Sequence, residues 1–156
     1  MRLHPLTPED HALIALARET VDAQTDAPAP GTDGIHTMGA AVRAADGRMF
    51  PGINLFHFLG GPCAELVALG HARASGAREL TTIVAVGNHG RGPVGPCGRD
   101  RQILFDYHPG IRVLLPTPEG VRGVRIQELM PLAALWTPEE GVRPFDADLF
   151  TEPDED

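Results

Sequence analysis

Lysine is absent. All 13 basic side chains are arginines, scattered along the chain against 21 acidic residues, for a formal net charge of −8. Nucleic-acid backbones are held mainly by clustered Lys and Arg, so a polynucleotide is not an expected partner. Aromatic residues make up only 5% of the chain, with one Trp and one Tyr, too few for an extended base-stacking platform. No apolar run approaches the roughly 18 residues that span a bilayer, so no membrane partner is expected. The N-terminal MRLHPLTPED lacks the apolar stretch of a secretory signal. A cytoplasmic location is the expectation, with a small molecule as ligand. Cysteine is also scarce: Cys63 and Cys97 are the only two. A structural disulfide is not expected in a reducing cytosol, and the plainest role for such a pair is as small buried apolar residues.

What is present fits one compact domain. The chain has 156 residues and 42% hydrophobic content, enough to bury a core. Thr7-Pro8-Glu9-Asp10 combines an N-cap, a proline at the first helical position and acids in the first turn. It predicts a helix to about Ala23. His36–Ala44 and Arg48–Asn54 flank Asp46-Gly47, a hairpin signal. A helix is expected from Cys63 to Ser75, ended by Gly76, and then a buried strand, Leu80–Val86. Asn88–Gly95 reads as a Gly-rich loop and Cys97–Tyr107 as a helix. Strands at Ile111–Leu115 and Val121–Ile126 and a short helix at Gln127–Leu132 follow. The order predicts an α/β fold: a three-layer α/β/α sandwich around a mixed five-stranded sheet. The domain is expected over 1–137, with 138–156 an acidic, mobile tail.

That arrangement sets Cys63 and Cys97 at the starts of two helices. Unpaired N–H groups and the macrodipole favour thiolate there. Cys97 and Asp100 are i and i+3 on one helix and can converge on one point. With Cys63 they give three metal ligands and leave one position open, the arrangement of a catalytic zinc site. Glu65 lies two residues past Cys63. A Cys-x-Glu followed by Pro-Cys-x-x-Cys is the grammar of zinc-dependent nucleobase deaminases, in which the Glu shuttles protons. PCAE and PCGRD match it in all but the last letter.

From about His36 to Trp136 the chain resembles the blasticidin-S deaminases, a branch of the cytidine deaminase superfamily. GINLFHFLGGPCAELVALG (52–70) and IVAVGNHGRGPVGPCGRDRQILFDYHPGI (83–111) carry most of the likeness. The resemblance implies a cytidine deaminase-like fold, a homotetramer, and hydrolytic deamination of a cytosine-type nucleoside or analogue. A metal-activated hydroxide would be the nucleophile, with Glu65 as proton shuttle and Zn²⁺ on Cys63, Cys97 and Asp100. The expected substrate contacts are Asn54, Phe56, Ala64, Arg91 and Trp136, the last with packing against the tail as its alternative. His57, His71, His89 and His108 flank the motifs and are read as surface or hydrogen-bonded residues, His89 being the best placed of them to reach a substrate.

The chain leaves the family pattern at three places. Asp100 stands where the third metal cysteine is expected, Phe56 replaces the glutamate of G-x-N-x-E, and Ala134 replaces a tyrosine two residues before Trp136. Carboxylate oxygen is an accepted zinc ligand, and its charge equals that of the thiolate it replaces. The harder donor widens tolerance toward Fe²⁺ or Mn²⁺. Arg99 or Arg101 is expected to offset the negative charge. The alternative is a nucleoside-binding protein that lost its metal, and its activity, through the Asp100 substitution.

Overall fold

The computed structural model describes residues 1–143. Helix α1 (Pro8–Gln24) begins with the capping box expected at Thr7. The Thr7 hydroxyl accepts from Asp10 N at 3.3 Å, and the Asp10 carboxylate accepts from Thr7 N at 3.0 Å. Strands β1 (Met38–Ala44) and β2 (Met49–Ile53) pair antiparallel across the Asp46-Gly47 turn. They are followed by α2 (Ala64–Ala74) and β3 (Leu80–Gly87), then β4 (Gly92–Val94) and α3 (Gly98–Tyr107). Strands β5 (Arg112–Thr117) and β6 (Gly120–Arg125) form a second hairpin.

The main sheet runs β2-β1-β3-β5-β6, with β3 and β5 parallel and the other neighbours on this path antiparallel. Side chains alternate across it with the period of two that a strand imposes. Ala40, Val42, Ala44, Ile83, Ala85 and Val113 face the layer holding α2 and α3. Ala41, Val84, Val86 and Leu114 face Leu13, Ala17 and Val21 of α1. These are the three layers expected from the sequence.

Three local differences have identifiable causes. β4 adds a sixth strand, antiparallel to the end of β3, inside the segment expected to be a loop. His89, Gly90 and Gly92 adopt positive φ of 50°, 76° and 75°, which turns the chain back onto β3. The helix expected over 127–132 is a single 3-10 turn, Ile126–Leu129, ended by Pro131 and by Leu132 at φ 59°. Within the segment expected as tail, β8 (Gly141–Arg143) pairs with β7 (Leu135–Thr137). The remainder of that segment, 144–156, lies outside the described residues.

Two contacts fix the helices on the sheet. Asp10, fully buried, accepts hydrogen bonds from Arg43 at 3.2 Å and Arg112 at 2.6 Å, tying α1 to β1 and β5. On the opposite face α2 lies directly on β2 at Gly52. A Cβ at Gly52 would stand 2.6 Å from Ala64 O and closer still to Ala68 N. Ala64 begins the helix that Cys63 caps, so this approach sets the position of the motif. Gly52→Ala is expected to cost about 1–3 kcal/mol through overpacking, read as a lowered denaturation midpoint. An unchanged midpoint would mean that α2 is free to lift from β2.

Candidate active site

Both crossover helices lie on one face, and each starts beyond the carboxyl end of a strand. Through antiparallel β1 between them, β2 and β3 run parallel, so α2, following β2, and α3, following β3 and its short β4 return, open at the same edge. This is where open α/β sheets place their ligands. Cys63 and Cys97 are the two N-caps, both in extended backbone conformation, and neither makes a side-chain capping bond. Their sulfurs face one another at 3.8 Å.

Asp100, one turn into α3, completes the group: ligand atoms of Cys63, Cys97 and Asp100 all lie within 4.8 Å of one another. Two zinc–sulfur bonds of about 2.3 Å at a tetrahedral angle separate the sulfurs by about 3.8 Å, the spacing found. Asp100 is fully buried, and neither of its carboxylate oxygens makes a hydrogen bond. Buried carboxylates are ordinarily paired with donors or bound to cations. The chemistry and spacing of the donor set therefore fit a divalent metal.

The electrostatics agree. Burial, and then the neighbouring Asp100 carboxylate, push the Cys63 thiol up to about 12. A bound cation reverses that preference and favours the thiolate. Arg99 donates to Gly61 O at 3.1 Å and reaches Cys63 Sγ at 3.6 Å, so it is Arg99 that takes the expected charge-balancing position. Arg101 instead donates to Pro96 O at 3.0 Å and braces the turn before Cys97.

Glu65, in the first turn of α2, is only 6% exposed and lines the same cavity. Burial first, and then the charge of Asp100, raise its carboxyl to about 7. A carboxyl poised near neutrality inside a cleft can both take up and release a proton.

The cavity measures about 260 Å³ and brings together Asn54, Phe56, Cys63, Ala64, Glu65, Cys97 and Asp100. Met38, Leu55, Pro62 and Val94 also line it. No motif signalled Met38 or Val94, because they come from strands that reach the site only through sheet pairing. Asn54 lines the cavity with most of its amide committed. Its oxygen accepts from Thr37 N and Met38 N, each at 3.0 Å, and its nitrogen donates to Ile35 O at 2.8 Å.

Two expected contacts are not brought to this cavity. Arg91 folds back over Gly87, donating to Thr37 O at 2.6 Å and Asn88 Oδ1 at 3.1 Å, and lines a separate polar cleft with Asp33 and Thr37. Trp136 lies 6.0 Å from the Tyr107 ring. It borders a larger cavity of about 790 Å³ formed with Leu66, Leu69 and Ile103, away from the cluster. The histidines stand apart too. His71 bonds Pro51 O, His57 accepts from Leu59 N, His89 bonds Ala27 O, and burial lowers the pKa of His108. Among the described residues, none of them joins the cysteine–aspartate group.

No family model matches the chain. Blasticidin-S deaminase of Bacillus cereus is 29% identical over 145 residues, which cover 85% of this chain and 96% of that protein. A cytidine deaminase of Halalkalibacterium halodurans is 32% identical over 120 residues, 74% of this chain and 89% of the relative. The crystal structure of cytidine deaminase from Burkholderia pseudomallei aligns with a TM-score of 0.61 at 33% identity, covering 82% of this chain and 99% of that one. With relatives matched over nearly their full length and a cysteine–cysteine–aspartate cluster beside a buried glutamate, the chain belongs to the cytidine deaminase superfamily, which includes the blasticidin-S deaminases, and is a hydrolytic deaminase.

Proposed function

We propose that the protein is a zinc-dependent hydrolase that removes the exocyclic amine of a cytosine-type nucleoside or nucleoside analogue, cytidine-like or blasticidin S-like. The observation that carries this reading is the buried carboxylate of Asp100, without a hydrogen bond and facing two sulfurs 3.8 Å apart, with Glu65 in the same cavity. Relatives named for cytidine and for blasticidin S support the substrate class.

Cys63, Cys97 and Asp100 would hold the metal, leaving one side open to the cavity. Zinc bound there supplies a Lewis acid that brings the ionisation of water close to neutral pH. Glu65 accepts a proton from the attacking water and delivers it to the ring nitrogen. It then carries a second proton to the departing amine, so that water and the amine become a carbonyl and ammonia. Arg99 steadies the negative charge gathered at Cys63. Ala64 and Asn54 shape the wall beside the ring, and a direct role for Arg91 or Trp136 has no support from this cavity.

A homotetramer is proposed on the resemblance. It is supported by the apolar surface of the loop beside the site, where Leu55, Phe58 and Leu59 are 49%, 86% and 79% exposed. A cytoplasmic location is proposed on the two free thiols, of the kind a reducing compartment maintains.

Three measurements test these points. Zinc at a hundredfold excess over its dissociation constant should stabilise the metal-free protein by about 2.7 kcal/mol. Asp100→Asn should remove that response, and an equal response in the variant would exclude Asp100 as a ligand. Glu65→Gln should retain metal and fold while kcat falls by about 10²–10⁴, and normal turnover would reject the proton-carrier role. Light scattering should give a mass of four chains, lowered by Phe58→Glu. A monomeric wild type would rule the tetramer out.

A further inference from the structure

Resting on the deamination chemistry proposed above, we infer that Phe56 is a specificity-determining residue: the site takes an aminated heterocycle whose ring substituent is met by apolar contact, and it reads neither sugar hydroxyls nor phosphate. The cavity lining combines two carboxylates and two cysteines with a set of apolar side chains. Both carboxylates are buried, Asp100 fully and Glu65 at 6% exposure, and they line the cavity together with the two cysteines. The rest of the lining is largely apolar: Met38, Leu55, Phe56, Pro62 and Val94. Phe56 lines the cavity with 72% of its surface exposed, so its ring is available for contact with a substituent on the heterocycle.

Beside the carboxylates and cysteines, Asn54 is the one polar side chain lining the cavity among the described residues. Its oxygen already accepts two backbone N–H groups, and one amide hydrogen goes to Ile35 O. A single amide hydrogen is left, too little to recognise a pair of vicinal hydroxyls. Cations are equally committed. Arg91 is held by Thr37 and Asn88 at another cleft, Arg99 spans Gly61 O and Cys63 Sγ, and the chain has no lysine. Among the described residues lining the cavity, a phosphate would meet no positive side chain and two acidic ones.

Magnitudes separate this site from a hydroxyl-reading one. A pocket built to hydrogen-bond a hydroxyl rejects the analogue lacking it by about 10⁴–10⁵, whereas an apolar wall discriminates against an added hydroxyl by only about 10². The test is kcat/KM of the zinc-loaded protein for cytidine, 2′,3′-dideoxycytidine and cytidine 5′-monophosphate. The dideoxynucleoside is expected to be as good a substrate as cytidine or better, and the monophosphate at least about 100-fold poorer. A dideoxycytidine value more than about tenfold below that of cytidine overturns the inference, as does turnover of the monophosphate at the nucleoside's rate. Phe56→Glu, placing an acceptor at an exposed position, should move the cytidine-to-dideoxycytidine ratio toward cytidine by about tenfold. An unchanged ratio removes Phe56 from the selectivity. If none of the three is deaminated and cytosine and blasticidin S are inert too, the cytosine-deaminase reading itself falls, and this inference with it. Turnover limited to hydroxylated substrates overturns only the inference.

Discussion

A carboxylate inside a protein is tolerated when something stabilises its charge, because transfer from water costs several kcal/mol even after relaxation. Asp100 sits under that constraint with full burial and no hydrogen bond to either oxygen. Its surroundings are organised around the same charge. Two helix N-termini converge on it, their macrodipoles favouring anions, and Arg99 stands over the neighbouring sulfur. The raised pKa values of Cys63 and Glu65 both trace in part to Asp100. Asp10 gives the contrast within the same molecule. It is equally buried, but two arginines and a backbone N–H satisfy it. One carboxylate is satisfied by the fold's own donors, and the other is left with a charge that a cation would satisfy.

The fold delivers those groups by backbone contact more than by side-chain packing. Gly52 lets α2 rest on β2 with no side chain between them, and Gly39 does the same for α1 on β1, where a Cβ would stand 2.5 Å from Ala17 O. Such contacts leave little freedom for a helix to slide. The distance between Cys63 and Cys97 is then set by the spacing of sheet and helices, and metal ligands need that rigidity, since bond lengths tolerate errors of only about 0.2 Å.

Much of this was legible in the sequence because it is local. The capping residues, the Asp46-Gly47 turn and the apolar, β-branched run Leu80–Val86 are all short-range signals, and each is realised. The convergence of Cys63, Cys97 and Asp100 is legible because i,i+3 geometry brings Cys97 and Asp100 together, while the crossover order sets Cys63 beside them. What escaped depends on partners distant in sequence. Gly92–Val94 looks like loop until β3 offers an edge to pair with, and Leu135–Thr137 is a strand only because Gly141–Arg143 returns to it. Arg91 and Trp136 were assigned by likeness to a family. Their side chains are directed by Thr37, Asn88 and Tyr107, contacts that no spacing rule announces.

The apolar wall of the cavity links reactivity to selectivity. Met38, Leu55, Phe56 and Val94 close off one side of the space that Glu65 lines, and burial is the largest cause of its rise to about 7. A proton carrier works best with a pKa near the working pH, so an apolar surround suits that role. The same surround cannot offer hydrogen bonds to hydroxyl or phosphate groups without readmitting polarity and water. Replacing Phe56 by a polar residue would therefore act on both properties, adding a contact for a substituent while relaxing the desolvation that tunes Glu65. Phe56 and Asp100 are two of the positions where this chain leaves the family pattern: Asp100 keeps the charge of the cysteine it replaces, and Phe56 lines the same cavity with a ring that offers no hydrogen bond.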